Sequence, residues 1–332
     1  MHTIRSFNQY EAFTTFAWGG IMRTLGGVIE AQQFDADTLK AIFEITEEME
    51  RSPNQSLLRG RLMASLFYEP STRTRLSFES AMKRLGGEVV STENARQFSS
   101  KAKGESLEDS IRVISAYCDV IVLRYHKEGG ADRAQRFSRV PVINAGDGRG
   151  QHPTQALLDL YTIRKSFGNV SGLTVAMVGD LANGRTVRSL SYFLAKHFSD
   201  NRIIFVSPKQ TKMGDDIKEY LNNHGVKWSE TDDLRATAST ADVIYQTRVQ
   251  RERFQDDDLS TYEQVVKESE RFTINAEILS LMKKQAIIMH PLPRVTEISF
   301  SVDQDSRARY FEQAENGLYV RMALLKMILE GY

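Results

Sequence analysis

Short apolar runs alternate with amphipathic helical stretches along the whole chain, and this alternation restricts the fold more than any other feature. Residues 62–68, 120–124 and 140–144 read as buried strands, with 88–91 a short strand candidate. Helix-spaced patterns at 35–51, 72–85, 107–116 and 153–167 lie between and around them. The second half repeats the style, with strands at 173–178, 202–206, 242–246 and 286–290 and helices at 185–197, 214–224 and 276–283. Such an order implies parallel sheets covered by helices. The expectation is an α/β chain of two domains, each a mainly parallel sheet flanked by helices, and 332 residues suffice for both. Residues 1–25 read as a poorly ordered tail. Residues 26–152 with the C-terminal helix 309–332 form the expected first domain, and 153–308 the second. The boundary is set at the helix that starts with Pro153, and the apolar stretch 317–329 is expected to pack on the first domain.

Ligands of open parallel sheets bind beyond the carboxyl ends of the strands, and the polar motifs fall at those ends. The first is Ser71-Thr72-Arg73-Thr74-Arg75, where strand 62–68 turns into a helix with Phe78, Ala81, Met82 and Leu85 on one face. A helix N-terminus carries partial positive charge and free N–H groups. Arginines there repel that charge unless an anion occupies the site, and a guanidinium grips phosphate with two prongs. The plainer reading is a capped helix with surface arginines. The second motif runs from Asn144-Ala145-Gly146-Asp147-Gly148 to Gln151-His152-Pro153-Thr154-Gln155. His152 either caps the helix or, with Gln155, points into the strand-end cleft and donates a hydrogen bond or takes a proton. Arg124, directly after an apolar strand, either pairs with a carboxylate or faces the cleft.

Three more motifs follow in the second half. Gly179-Asp180-Leu181-Ala182-Asn183-Gly184-Arg185-Thr186 approaches a P-loop but has Arg185 where that loop needs lysine. In Thr247-Arg248-Val249-Gln250, alternation places Arg248 and Gln250 on one side. His290-Pro291-Leu292-Pro293-Arg294 has two prolines that fix the backbone and leave the Leu292 and Pro293 carbonyls as acceptors. The loop Ser99-Ser100-Lys101-Ala102-Lys103 reads by itself as an ordinary solvated loop. Arg73, Arg124, Arg185 and Arg248 all sit at strand ends or helix starts. Converging cations are costly without counter-charge, so they imply a polyanionic small ligand or a pair of such ligands. No Ser–His–Asp arrangement, metal-ligand spacing, paired carboxylates or dinucleotide fingerprint is present. What remains is chemistry by positioning and charge stabilisation, with no metal and no cofactor.

Composition narrows the class. The formal net charge is zero, against general nucleic-acid or anionic-membrane binding. The single cysteine, Cys118, has no internal disulfide partner, which points to a reducing compartment such as the cytoplasm. Glu11 is the one acidic residue of the first 25, so an organelle address after removal of a transit segment stays open.

These motifs, in this order and over residues 28–332, resemble the catalytic chains of the aspartate carbamoyltransferase family, with wording nearest the plant type. The Ser71–Arg75 and His152–Gln155 motifs are shared across carbamoyltransferases. His290–Arg294 is the narrower mark, since ornithine enzymes carry cysteine where Pro291 stands. The resemblance implies transfer of the carbamoyl group of carbamoyl phosphate to L-aspartate, a step of pyrimidine biosynthesis. It implies that Ser71, Thr72, Arg73 and Thr74 hold the phosphate, and that Thr74, Arg124 and His152 reach the carbamoyl oxygen. Gln155 and the carbonyls of Leu292 and Pro293 would hold the carbamoyl amide, while Arg185, Arg248 and Gln250 bind aspartate. Ser99 and Lys103 would enter from a neighbouring subunit, which implies a homotrimer with shared sites. Regulatory subunits are not indicated. Ala102 departs from the adjacent lysine pair of many relatives, and Thr296 stands where some bacterial relatives have an acid, which leaves domain-closure contacts to Arg253 open. The alternatives are another amine acceptor such as ornithine, which Arg185 and Arg248 would repel, and a nucleotide-binding P-loop protein.

Overall fold

The computed structural model describes residues 13–17, 20–93, 104–250 and 259–332. They form two compact units: the described residues up to Thr154 together with Gly317–Tyr332, and those of Gln155–Asn316.

The first unit opens with an antiparallel pair, β1 (Phe13–Ala17) and β2 (Gly20–Thr24), in the register Phe13 to Thr24. Part of the expected tail is therefore paired strand. Its second strand is tied to the end of the chain, where the Arg23 N–H donates to the Tyr332 carbonyl at 3.2 Å and receives the reverse bond at 2.9 Å. Four parallel strands follow: β3 (Leu62–Phe67), β4 (Glu88–Glu93), β5 (Val120–Tyr125) and β6 (Val142–Asp147), in the order β4-β3-β5-β6. β3, β5 and β6 are almost wholly buried, as their unbroken apolar runs require, whereas the edge strand β4 is largely exposed.

Local chemistry fixes the helices. Asp35 accepts from the Thr38 N–H at 2.6 Å to start Ala36–Arg51, and Ser106 accepts from Asp109 at 3.1 Å to start Leu107–Ile114. Helix Gly130–Phe137 had no expectation in the sequence. It begins after Gly129, whose φ of 75° suits glycine, and so lacks the usual start signals. The last helix, Tyr310–Leu329, contributes Gly317–Leu329 to this unit. There Arg321 donates to Ser77 at 2.8 Å and lies 5.0 Å over the Phe78 ring.

The second unit holds five parallel strands: β7 (Thr174–Val178), β8 (Arg202–Val206), β9 (Lys227–Thr231), β10 (Val243–Gln246) and β11 (Ile287–Met289), in the order β11-β10-β7-β8-β9. β9 is an edge strand with no fully buried residue, which is why hydrophobic patterning missed it. The core gathers Val178, Ile204, Ile244, Phe272, Ile288 and Tyr310. Among the described residues no helix is long and apolar enough to cross a membrane.

Candidate active site

In the first unit, β3 delivers the chain to helix Thr72–Arg84. Its N-cap residue Ser71 makes no side-chain capping bond, and its first turn holds no acid. Helix starts of this kind, with a positive dipole end and no acid beside it, favour an anion. The structure separates the two arginines of the motif. Arg73 is exposed, whereas Arg75 lies 3.0 Å from Glu93 and 3.8 Å from Glu79 and so belongs to the joint between helix and β4. Thr74 is buried.

Parallel register sets Phe67 of β3 opposite Arg124 of β5, so Arg124 arrives beside the same helix start. Its Nη1 donates to Ser71 Oγ at 2.7 Å, and its Nε lies 3.6 Å from a Glu69 carboxylate oxygen. Arg124 thus pairs with a carboxylate, the first of its two sequence readings, and also bonds Ser71 of the phosphate-type motif. On the next strand, β6 ends at Asp147, whose carboxylate accepts from the Gln151 N–H at 2.9 Å and the Gly129 N–H at 3.1 Å. That turn places His152, 4% exposed, just before helix Pro153–Phe167, with its Nδ1 at 3.5 Å from Thr154 Oγ1.

In the second unit, helix Arg185–His197 starts the same way. Its N-cap is Gly184, with no capping bond and no acid in the first turn, and Arg185 is its first residue. Asp180, fully buried, accepts from the Asn183 backbone at 3.1 Å and the Gln250 N–H at 3.4 Å. Gln250 Nε2 in turn donates to the Asn183 carbonyl at 3.3 Å. The loop before Arg185 and the strand-end segment bearing Arg248 and Gln250 are thereby one structure. Gly179 permits the approach: its φ is +108°, and a Cβ there would lie 2.4 Å from the Thr247 carbonyl oxygen. Sequence patterning gave Asp180 no role because nothing in the pattern shows that it is buried.

The His290–Arg294 segment is also held from within this unit. The Leu292 N–H donates to His290 Nδ1 at 2.7 Å, so neutral His290 carries its proton on Nε2 and donates to Glu297 at 2.8 Å. Burial pushes the Glu297 carboxyl up, but the bond from His290 and backbone N–H donors outweigh it and hold the group below its usual value. Arg294 pairs with Asp303 and lies 4.5 Å over the Phe300 ring. Gln155 donates to Asp159 at 2.9 Å. Asp159 had no assigned role in the sequence reading. Ser99, Lys103 and Arg253 lie outside the described residues.

Ser71 thus meets Arg124 in one unit, and the loop before Arg185 meets Gln250 in the other. Residues 27–165 match the family model described as aspartate/ornithine carbamoyltransferase, carbamoyl-P binding domain, and residues 171–328 match its Asp/Orn binding domain. The chain belongs to the aspartate/ornithine carbamoyltransferase family. Within it, the chain is 58% identical to aspartate carbamoyltransferase 2, chloroplastic, of Pisum sativum, over all of this chain and 86% of that protein. It is 45% identical to the aspartate carbamoyltransferase catalytic subunit of Clostridium novyi, over 91% of this chain and 97% of that one. Among solved structures, it is similar to the aspartate transcarbamoylase of Trypanosoma cruzi in complex with N-(phosphonacetyl)-L-aspartic acid. That match has a TM-score of 0.84 and 39% identity and covers 92% of this chain and 96% of that one.

Proposed function

We infer that the chain is an aspartate carbamoyltransferase: it transfers the carbamoyl group of carbamoyl phosphate to the amine of L-aspartate, giving N-carbamoyl-L-aspartate and phosphate. One structural observation carries this reading. Helices Thr72–Arg84 and Arg185–His197 both begin uncapped, without an acid in the first turn and with an arginine in their first two residues. Each unit therefore offers one anion-seeking helix start, and the reaction has two anionic substrates.

On this reading Ser71, Thr72, Arg73 and Thr74 take the phosphate group, and Thr74, Arg124 and His152 donate to the carbamoyl oxygen. That oxygen gains negative charge as the aspartate amine attacks the carbamoyl carbon. Donors aimed at it lower the barrier directly. The C–O bond to phosphate then breaks, and the leaving phosphate accepts the amine proton. Gln155 and the carbonyls of Leu292 and Pro293 hold the carbamoyl NH2. Arg185, Arg248 and Gln250 take the two aspartate carboxylates, a pairing that a cationic acceptor such as ornithine lacks.

The assembly belongs to the same proposal: a homotrimer in which Ser99 and Lys103 serve a neighbour's site. In support, Leu76 of helix Thr72–Arg84 and Val90 of β4 are 50% and 48% exposed. These elements adjoin where Ser91 donates to Glu79 at 2.6 Å, so apolar surface lies along an open sheet edge. The chloroplastic plant relatives favour an organelle over the cytoplasm.

The test is titration calorimetry with N-(phosphonacetyl)-L-aspartic acid, which joins both substrate halves. One molecule binds per chain, and Arg73→Ala and Arg248→Ala each weaken it at least tenfold. Absence of binding, or indifference to both substitutions, defeats the assignment.

A further inference from the structure

We propose that Asp159 is a positioning residue that sets which end of the Gln155 side-chain amide faces the carbamoyl group. The proposal rests on the reading above, in which Gln155 holds the carbamoyl NH2.

Asp159 is fully buried on helix Pro153–Phe167, one turn beyond Gln155. Its Oδ1 accepts from Gln155 Nε2 at 2.9 Å and from Gln313 Nε2 at 2.6 Å, and its Oδ2 accepts from the Tyr245 hydroxyl at 2.8 Å. Three donors from three separate segments converge on one carboxylate. An ionised carboxylate only accepts hydrogen bonds. It therefore compels Gln155 to turn its NH2 inward and leaves the Gln155 oxygen as the outward end. A carbamoyl NH2 only donates, so an oxygen is the end it needs. Burial and the Asp159 charge push the Tyr245 hydroxyl well above the ordinary phenol value, so it stays a donor.

The same carboxylate reaches the second set of carbamoyl acceptors. Gln313, its NH2 held by Asp159, accepts from the His290 N–H through Oε1 at 2.8 Å. His290 Nδ1 accepts from the Leu292 N–H at 2.7 Å. Asp159 thus orients Gln155 directly and the Leu292–Pro293 carbonyls through two intermediaries. All of these residues belong to the second unit.

The experiment compares equilibrium binding of carbamoyl phosphate, acetyl phosphate and inorganic phosphate to the full-length chain. Acetyl phosphate has a methyl group where carbamoyl phosphate has NH2, so the ratio of the two affinities reads the amide acceptors alone. Asp159→Leu removes the carboxylate at similar volume. Its preference for carbamoyl over acetyl phosphate falls at least tenfold, while its phosphate affinity stays within threefold of wild type. Asp159→Asn keeps an acceptor but adds a donor, so Gln155 takes either orientation and the preference falls to an intermediate value. Should Asp159→Leu fail to fold, the isosteric Asp159→Asn carries the test, with a loss of at least threefold. A preference equal to wild type in the folded variants overturns the role of Asp159 alone. A general loss, with phosphate affinity falling in parallel, also overturns it and marks Asp159 as merely structural. A wild-type chain that does not distinguish the two acyl phosphates overturns the underlying reading of Gln155.

Discussion

At the scale of single residues, the proposed reaction is divided between two arginines. Arg124 is placed by strand register against Ser71, while Arg248 is placed by the joint of Gln250 with Asp180 and Asn183. Arg124→Ala is expected to lower kcat by about 100- to 1,000-fold, as loss of a comparable oxyanion donor does, with little change in aspartate KM. Steady-state kinetics that show only a raised aspartate KM would count against the role. Arg248→Ala is expected to raise aspartate KM at least tenfold and leave carbamoyl phosphate saturation near wild type, and unchanged aspartate saturation would remove Arg248 from the site. Residue type and position made these arginines legible, because an arginine at a strand end or helix start needs an anion. Asp159 was not legible. Its partners Gln155, Tyr245 and Gln313 lie 4, 86 and 154 positions away, and only the fold brings them together.

At the scale of elements, the uncapped helix starts were readable as strand-to-helix transitions rich in arginine. Among what escaped were edge strand β9, which buries no residue fully, helix Gly130–Phe137, which follows a left-handed glycine in place of a capping side chain, the helices Leu234–Ala238 and Leu259–Ser269, and the β1–β2 pair. The His290–Arg294 segment was legible as rigid from its prolines, but its anchor Glu297 was not. Because the folded-state value of Glu297 is depressed, its contribution is fully present above the unfolded value of about 4.3 and is lost as pH falls through the lower folded value. Glu297→Gln is expected to cost about 1–3 kcal/mol at pH 7, and the difference from wild type to shrink as pH falls below about 4. Denaturant melts at pH 7 and pH 3.5 measure both. An equal gap at the two values would show that Glu297 works by shape rather than charge.

At the scale of the whole molecule, two α/β units of similar style match the carbamoyl-P and Asp/Orn binding domain models, and the proposed trimer adds Ser99 and Lys103 from a neighbour. Light scattering on the purified chain is expected to give about three times the 37.7 kDa chain mass, and a monomer would contradict the assembly. Shared sites also predict complementation. Arg73→Ala and Lys103→Ala chains, each inactive alone, regain activity when dissociated and reassembled together, because mixed trimers contain sites free of both changes. No recovery would mean that each chain completes its own site. The two-unit architecture followed from strand–helix alternation alone, but a subunit boundary leaves no period in a sequence, and only the resemblance to relatives raised it. The most direct test of the central claim supplies wild-type chain with carbamoyl phosphate and either L-aspartate or L-ornithine, and follows phosphate release alongside the carbamoylated product. The expected result is one N-carbamoyl-L-aspartate per phosphate with aspartate and no product with ornithine. Phosphate release without carbamoyl aspartate, or carbamoylation of ornithine, would contradict it.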